Sequence, residues 1–428
     1  MAHHVDAVRL QRRGHQLDPG HPRSQSVCRA PSEQDVGAEP KVGVASGGGC
    51  GSPADAVARL HDHDGQTGGC DLKRGGEAAE ACTNHDDAPH EPMVGMTGMG
   101  LPHPWGGLMR PSSLHRPMGK GAQLPHDRGD LLWTSADGPS NRLLGSIDRW
   151  VTAMLADDGI DAPVMEGGPT SSATIVARAD GLVAGTAAVD HLLQIWAMDV
   201  HVDWSARDGR KVSAGGVVGT LRGSTASMLR IERTVLNLLG HLSGIATATS
   251  KWAHLAPGQI ACTRKTTYGL LDKWAVHLGG GLTHRLDRAD ALMLKENDLA
   301  GHGQDELEQV HNALGNLNVE PDHAFVEIEV RSERQAVTAA LAWSLREDLK
   351  GTVPFVIMLD NLSPETCREV ANQLKGMGQR EQVVLEASGG IRLEDLKDWK
   401  ESGMDVLSTS AVNRGVAPLD LSMLMDGA

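Results

Sequence analysis

Phenylalanine, tyrosine and isoleucine are missing from the first third of this 428-residue chain. The whole sequence has two Phe and one Tyr, and its first Ile is Ile147. A segment this poor in β-branched and aromatic residues cannot bury enough apolar area to offset the entropy lost on ordering. We therefore expect residues 1–140 to be a disordered extension that contributes nothing to the fold.

Other absences exclude whole classes of protein. The sequence has no apolar run of membrane-spanning length and no apolar signal segment at its start, so neither a membrane partner nor secretion is expected. A net charge of −15 argues against nucleic acid as a general partner. Six cysteines are too few for a disulfide scaffold in a chain of this length, and none forms a C-x-x-C pair, which argues against a zinc ribbon. We expect a cytoplasmic protein.

Metal binding is the alternative role for the extension. It is rich in His and Cys, but their spacings match no zinc template. The candidate ligands are His3, His4, His61, His63, Cys50, Cys70 and Cys82.

From about residue 141 the sequence gains regular apolar patterns. Residues 147–160, 187–198 and 227–253 are expected to be helical, and residues 198–223 to form short strands. Residues 173–185 predict a hairpin that turns at Asp180-Gly181. Residues 141–257 therefore predict a domain that mixes a small sheet with helices.

A strand–helix unit then repeats about every 30 residues through the range 258–428. Helical segments separate the apolar runs, and such a rhythm is typical of a parallel sheet, here a barrel or part of one. The runs start near Ile260, Ala289, Ala324, Val353, Gln382 and Asp405.

Candidate site residues follow these apolar runs. Active sites of such barrels lie at the carboxyl ends of the strands. The candidates there are Arg264, Lys265, Lys295, Glu329, Asp360, Ser388, Gly389, Gly390, Ser408 and Ser410. The glycines and small residues offer backbone N–H groups to a phosphate.

A local excess of positive charge supports an anion site. Eight basic and three acidic residues lie between Arg233 and Lys295 in this otherwise acidic chain. Arginine is suited to bidentate recognition of carboxylate and phosphate. The pocket for a polyanion would be built from Arg233, Arg264, Lys265, Arg285 and Lys295 together with His284.

Glu329 and Asp360 differ from the other candidate site residues because their side chains are acidic. The period of two in residues 326–330 puts Glu327 and Glu329 on the inner face, opposite the apolar residues that meet the helices. Glu329 and Asp360 would then be either ion-pair partners of the basic pocket or ligands of Mg²⁺, which takes one or two carboxylates plus substrate phosphates. Both roles remain open at this stage.

In this order, a set of motifs resembles the quinolinate phosphoribosyltransferase family over roughly residues 145–420. The motifs are ERTVLN, CTRKTTYGLLDKWAVHLGGGLTHR, ALMLKEN, VEIEV, IMLDN, EASGGI and VLSTSAV. The family implies an N-terminal α/β sandwich, a C-terminal incomplete α/β barrel and a homodimer with shared sites. Its reaction joins quinolinate to phosphoribosyl pyrophosphate and yields nicotinate mononucleotide, pyrophosphate and CO₂ in NAD biosynthesis.

The resemblance also implies roles for individual residues. Arg264, His284 and Arg285 would hold the quinolinate carboxylates, and Lys265 and Lys295 would lie near the ribosyl and pyrophosphate groups. Arg233 would be donated by the partner subunit. Glu329 and Asp360 would lie near the ribose and Mg²⁺, and Ser388–Gly390 would form the phosphate loop.

The sequence departs from the family pattern at three places. Asp298 replaces a usual His, Ser410 replaces a usual Gly in the last phosphate loop, and residues 157–163 lack Gly-Asp-x-Thr. Two rival functions remain: a related phosphoribosyltransferase acting on another base, either nicotinate or that of the molybdenum-transport-associated paralogue, and a lipoyl-like carrier. The carrier is disfavoured because residues 212–232 contain no modifiable Lys.

Overall fold

The computed structural model describes residues 124–320 and 322–426. Besides helices, these residues form a first, four-stranded antiparallel sheet, a second, six-stranded parallel sheet and two antiparallel pairs of short strands. The predicted disorder of residues 1–123 and the proposed His and Cys metal ligands lie outside the described residues.

The prediction of disorder is wrong for residues 124–140. Here β1 (Trp133–Thr134) and β2 (Gly138–Pro139) pair in an antiparallel hairpin. His126 and Leu132 are fully buried. The composition of this segment predicts disorder incorrectly, because the segment is ordered by contacts with the parallel sheet, more than a hundred residues away, rather than by its own apolar content.

The first domain begins with a helix and alternates short strands with helices. Ser140 begins α1, since its hydroxyl accepts a hydrogen bond from the Leu143 N–H at 3.3 Å. The elements are α1 (Asn141–Asp157), β3 (Thr170–Ala177), β4 (Gly181–Leu182), α2 (Thr186–Trp196), β5 (Val200–Trp204), β6 (Lys211–Val212), β7 (Val217–Ser224) and α3 (Thr225–Leu255).

The expected hairpin at residues 173–185 is not formed. β4 pairs with β6, and β3 pairs with β7. The Asp180 carboxylate accepts a hydrogen bond from the Ala214 N–H at 2.8 Å, which directs this turn towards the later strand. The Asp-Gly pair correctly marked a turn, but the partner strand lay further along the chain.

The chain's last strand belongs to the first domain. β14 (Leu421–Met425) pairs antiparallel with β3, and the sheet order is β14-β3-β7-β5. A barrel domain that runs from 258 to the C-terminus is therefore wrong in its last residues. All five positions of β14 are exposed or half-buried, so its burial has no period-two pattern that could have predicted this pairing.

The second sheet confirms the predicted strand–helix rhythm. Its strands are all parallel, in the order β8-β13-β12-β11-β10-β9. The elements are β8 (Ile260–Ala261), α4 (Leu270–Leu278), β9 (Leu292–Leu294), α5 (Glu296–Leu299), α6 (Glu306–Gly315), β10 (Val326–Val330), α7 (Glu333–Ser344), β11 (Phe355–Asp360), α8 (Pro364–Gly376), β12 (Val384–Ser388), α9 (Leu396–Trp399) and β13 (Val406–Ser408).

The sheet is an incomplete barrel because β8 and β9 do not pair. On the free edge of β8, Leu282 forms a parallel bridge with Ala261. Next to Leu282, the His284 N–H donates to the His126 carbonyl oxygen at 3.0 Å. The N-terminal segment therefore occupies the open side of the barrel.

The alternation predicted for β10 is confirmed. Val326, Ile328 and Val330 are buried against the helices, and Glu327 on the opposite face is also fully buried. Among the helices of the described residues, none combines the length and the apolar composition needed to cross a bilayer.

Candidate active site

A cavity of about 720 Å³ opens at the carboxyl ends of the parallel strands. Its walls are formed by the loop that follows β8 and by the ends and following turns of the other strands, as expected for a barrel. All but one of the residues predicted for the site line this cavity: Arg264, Lys265, His284, Arg285, Lys295, Glu329, Asp360, Ser388, Gly389, Gly390, Ser408 and Ser410.

Arg233 is the exception. It is exposed on α3 and does not line the cavity of its own chain. Its predicted place in a partner's site stays a prediction.

Arg264, Lys265 and Arg285 form a cationic wall of the cavity, in which Arg285 is buried and the other two are exposed. The Arg285 side chain is nearly buried, and its guanidinium donates to the Ala291 carbonyl oxygen at 3.2 Å. Burial and the neighbouring charge of Arg264 lower the pKa of Arg285. Arg264 and Lys265 are exposed at the cavity mouth. Like charges held this close favour binding of an anion between them.

Lys273, counted in the local charge excess, is not part of that wall. Its ammonium group is buried and donates to the Thr283 carbonyl oxygen at 2.6 Å. It therefore supports the backbone just before His284 rather than meeting a ligand.

The loop that carries Arg264 and Lys265 is held from behind. Buried Asp272 accepts hydrogen bonds from the Thr267 N–H at 2.6 Å and from the His241 ring at 2.8 Å. The Tyr268 ring packs against His241, with ring centroids 4.5 Å apart. These contacts fix the loop without using the cationic side chains.

Lys295 and Glu329 form an ion pair in the cavity. Asp298 accepts a hydrogen bond from the Lys295 N–H at 2.9 Å and so caps the short helix α5. The residue that departs from the family pattern thus holds the backbone of Lys295 in place.

Two carboxylates are suited to a hard cation. Glu329 is the penultimate residue of β10 and Asp360 is the last residue of the neighbouring strand β11. Their side chains are 12% and 16% exposed. Asn361 donates to Asp360 at 2.7 Å. A pair of oxygen donors open to the cavity fits Mg²⁺, which keeps waters and substrate phosphates as its other ligands.

The loop after β12, which is predicted to bind a phosphate, needs its glycines. Gly389 has φ +99°, and a Cβ atom there would lie 2.3 Å from the Asn361 side-chain oxygen. Gly390 also has positive φ. The backbone can therefore approach a ligand closely at both positions.

The loop after β13 tolerates Ser410. Ser410 begins a short 3-10 turn, and its φ lies outside the left-handed region that would favour glycine. The Thr409 hydroxyl donates to the Ile391 carbonyl oxygen at 3.2 Å and links the two loops. Ser408 lines the cavity and its hydroxyl donates to Glu386, and its predicted contact with substrate stays a prediction.

Four titratable side chains form a buried cluster at the cavity floor. They are His126, His284, Glu327 and Glu386. The Glu386 carboxylate contacts Nε2 of His126 at 2.7 Å and Nε2 of His284 at 3.3 Å. Burial would raise the pKa of Glu386, but the charges and hydrogen bonds of the two histidines outweigh it and hold this pKa below its usual range. Burial raises the pKa of Glu327.

Two features of His284 favour different protonation states. Burial lowers its pKa, but the charges of Glu386 and Glu327 outweigh burial and raise it to about 10. The Arg285 N–H, however, donates to His284 Nδ1 at 2.7 Å, which requires a bare nitrogen there. In both states Nε2 carries a proton and directs it at the carboxylates.

Sequence reasoning missed several cavity and floor residues. Thr263, Asn361 and Arg392 line the cavity, and His126 and Glu386 lie below it. The sequence contains a pattern that indicates Glu386, because the period of two in β12 places it on the inner face with Ser388. No pattern in the sequence indicates His126.

A cationic, glycine-looped cavity at the open end of an incomplete parallel barrel is typical of an enzyme that handles phosphorylated, multiply charged substrates. Family models match here: quinolinate phosphoribosyl transferase, N-terminal domain, over residues 158–243, and C-terminal domain, over residues 245–424. The chain belongs to the quinolinate phosphoribosyltransferase family.

Individual relatives agree with this assignment. The chain is 35% identical over 264 residues to a probable nicotinate-nucleotide pyrophosphorylase [carboxylating] of Methanothermobacter thermautotrophicus, covering 60% of this chain and 88% of the relative. It is 34% identical to the Bacillus subtilis protein of the same name, covering 60% and 84%. The structure of the nicotinate-nucleotide pyrophosphorylase from Francisella tularensis superposes with a TM-score of 0.55 at 27% identity, covering 66% and 96%.

Proposed function

We propose that this chain is a quinolinate phosphoribosyltransferase of NAD biosynthesis. It joins quinolinate to phosphoribosyl pyrophosphate and forms nicotinate mononucleotide, pyrophosphate and CO₂. The observation that carries the proposal is the gathering of Arg264, Lys265, Arg285 and Lys295 in one cavity with two carboxylates and the glycine loop. Those cations match the two carboxylates of quinolinate and the phosphates of its co-substrate.

Quinolinate binds at the side of the cavity formed by Arg264, His284 and Arg285. Two planar guanidinium groups suit two ring carboxylates, since each can donate paired hydrogen bonds. Arg285 is held by the Ala291 carbonyl and by Met293, so little side-chain freedom is lost on binding. The pyridine nitrogen is thereby directed towards the ribose.

Phosphoribosyl pyrophosphate binds across the other side. The Ser388–Gly390 loop and the turn at Ser410 offer backbone N–H groups to its 5′-phosphate. Lys265 and Lys295 neutralise charge on the departing pyrophosphate. On binding, Lys295 exchanges its pairing with Glu329 for the phosphate oxygens.

The pyridine nitrogen attacks the anomeric carbon as the bond to pyrophosphate breaks. Positive charge grows on the ribose, and the carboxylates of Glu329 and Asp360 stabilise it. Bound Mg²⁺, held by these two acids and the substrate phosphates, would supply further charge neutralisation to the leaving group. As the adjacent carboxylate leaves as CO₂, the positive charge of the alkylated ring nitrogen stabilises the electron pair left on the ring carbon, and that pair takes up a proton.

The active unit is a homodimer in this proposal. Arg233 is exposed on α3 and absent from its own cavity, so it is available to a neighbouring subunit. It would add one more cation to the partner's quinolinate site. We also propose a cytoplasmic location.

Product analysis tests the proposal. The full chain is incubated with phosphoribosyl pyrophosphate, Mg²⁺ and either quinolinate or nicotinate, and mononucleotide is measured by chromatography. Product from quinolinate alone supports the proposal. Product from nicotinate but not from quinolinate assigns the chain to the rival base, and no product from either base contradicts the proposal.

A further inference from the structure

We propose that His126 is a positioning residue for His284 and Arg285, supplied by a segment outside the ranges that the family models match. Those ranges begin at residue 158, whereas His126 precedes even the first helix. The inference rests on the proposed function, because it assigns His126 an effect on the quinolinate side of the cavity.

The backbone of His126 holds the turn that presents the two substrate-binding residues. Its carbonyl oxygen accepts hydrogen bonds from the His284 N–H at 3.0 Å and from the Thr283 hydroxyl at 3.4 Å. His284 has φ +55°, a left-handed conformation that non-glycine residues seldom adopt. Such a conformation persists only where its surroundings hold it. His126 supplies that restraint directly.

The His126 side chain acts through a shared carboxylate. One oxygen of Glu386 contacts Nε2 of His126 at 2.7 Å. The other oxygen faces Nε2 of His284 at 3.3 Å and accepts from the Ser408 hydroxyl. Three donors thus fix one buried carboxylate, and loss of the His126 N–H leaves it free to rotate away from His284.

Ring packing keeps His126 in this orientation. Its ring stacks on Phe325 with centroids 4.8 Å apart and meets the His284 ring edge-on at 4.9 Å. All three rings are buried. A change at His126 therefore reaches His284 by packing as well as by hydrogen bonding.

A second contact ties the same segment to the chain just after Arg285. Arg128 pairs with Asp290 at 2.9 Å, and the other oxygen of Asp290 accepts from the Leu286 N–H at 2.8 Å. The segment is thus fastened on both sides of the substrate-binding pair, at His284 and at Leu286.

Metal binding is the alternative role for a cluster of two histidines and two glutamates. A bound metal ion needs a lone pair on each histidine nitrogen that faces it. Nε2 of His284 faces both carboxylates and carries a proton in either of its protonation states. We therefore interpret the cluster as a network centred on Glu386, which joins His126, Ser408 and His284, and not as a metal centre.

A matched pair of full-length variants tests the inference. In His126→Gln the amide nitrogen takes the place of Nε2 and still reaches Glu386, whereas in His126→Asn it falls short. Calorimetry gives the dissociation constants of quinolinate and of phosphoribosyl pyrophosphate for both. We expect His126→Asn to weaken quinolinate binding roughly tenfold, His126→Gln to stay near wild type, and phosphoribosyl pyrophosphate binding to change little in either.

Leu132→Ala is the stability control. Leu132 is fully buried in the same segment but is outside the network, so this variant should lower the melting temperature and leave quinolinate affinity unchanged. Equal quinolinate affinities for the Gln and Asn variants, equal losses for both substrates in the Asn variant, or stoichiometric zinc in the purified chain would overturn the inference. Failure of the proposed function is a separate outcome: wild-type chain that neither binds nor converts quinolinate.

Discussion

His126 and Glu386 are 260 positions apart in the sequence, and their side chains meet at 2.7 Å with neither exposed. This contact makes residues 124–140 part of the folded enzyme. It closes the open side of the barrel with a residue from outside the catalytic domain.

Truncation should distinguish two parts of the N-terminal region. A chain starting at Asn141 loses His126, Leu132 and the Arg128–Asp290 pair, whereas a chain starting at Leu124 keeps them. Burial of one leucine alone stabilises by about 1.5–3 kcal/mol. We expect the chain from Asn141 to melt at least several degrees lower than the full chain. The chain from Leu124 should melt at the same temperature as the full chain. Calorimetric scans check this, and equal melting of all three would contradict it.

Arg264→Ala and Arg285→Ala should weaken quinolinate binding more than phosphoribosyl pyrophosphate binding. Each variant loses hydrogen bonds to a charged carboxylate, a loss of about 1.5–3 kcal/mol. Arg288→Ala is the matched control, because Arg288 is exposed and outside the cavity. Titration calorimetry with each substrate measures the difference. Equal losses for both substrates would show that the two arginines do not form the quinolinate side.

Arg233 should act in the neighbouring subunit. Arg233→Ala and Lys265→Ala chains are each expected to be nearly inactive alone. When they are mixed and allowed to exchange subunits, one hybrid site has both residues and activity should return to roughly a quarter of the wild-type level, if half the dimers are hybrids with one intact site. Verified exchange with no recovery would place Arg233 in its own subunit's function.

Glu386 should stabilise the fold in a pH-dependent way. Its folded pKa lies below the ordinary value of 4.5, so its contribution is fully present above 4.5 and is lost as the pH falls from there through the folded pKa. Glu386→Gln should lower the free energy of unfolding by about 3–5 kcal/mol near neutral pH, because buried partners are left uncompensated. Urea unfolding at several pH values should show this gap narrowing in acid. A gap that does not vary with pH would mean that Glu386 is not ionised in the fold.

Magnesium should be required, and Asp360 should set how much is needed. Chelation is expected to abolish turnover and added Mg²⁺ to restore it. Asp360→Asn should raise the Mg²⁺ concentration for half-maximal rate by roughly tenfold, since one anionic ligand is lost. Asp348→Asn, an exposed acid outside the cavity, is the control. An unchanged Mg²⁺ requirement in Asp360→Asn would remove Asp360 from the metal site.

The barrel strands and the polar residues at their carboxyl ends could be predicted from the sequence, because local patterns specify them. Alternation in β10 and the polar residues that end β8 to β13 follow directly from strand geometry. The hairpin at Asp180-Gly181 failed because a turn residue does not identify the partner strand. The return of β14 to the first sheet is a long-range pairing with no periodic signal.

The cavity floor was the hardest part to predict. Glu327 could be placed inward by its period, yet its neighbours come from three distant parts of the chain. His126 lies in a segment whose composition predicts disorder. Its order depends on stacking against Phe325 and on the carboxylate of Glu386, and neither partner is visible from residues 124–140.

The most direct test of the central claim follows one carboxylate. Quinolinate labelled in the carboxylate next to the ring nitrogen is incubated with the full chain, phosphoribosyl pyrophosphate and Mg²⁺, and labelled CO₂, pyrophosphate and mononucleotide are measured together. The account predicts equal amounts of all three and none without phosphoribosyl pyrophosphate. Labelled CO₂ in the absence of the co-substrate, or mononucleotide that retains the label, would contradict it.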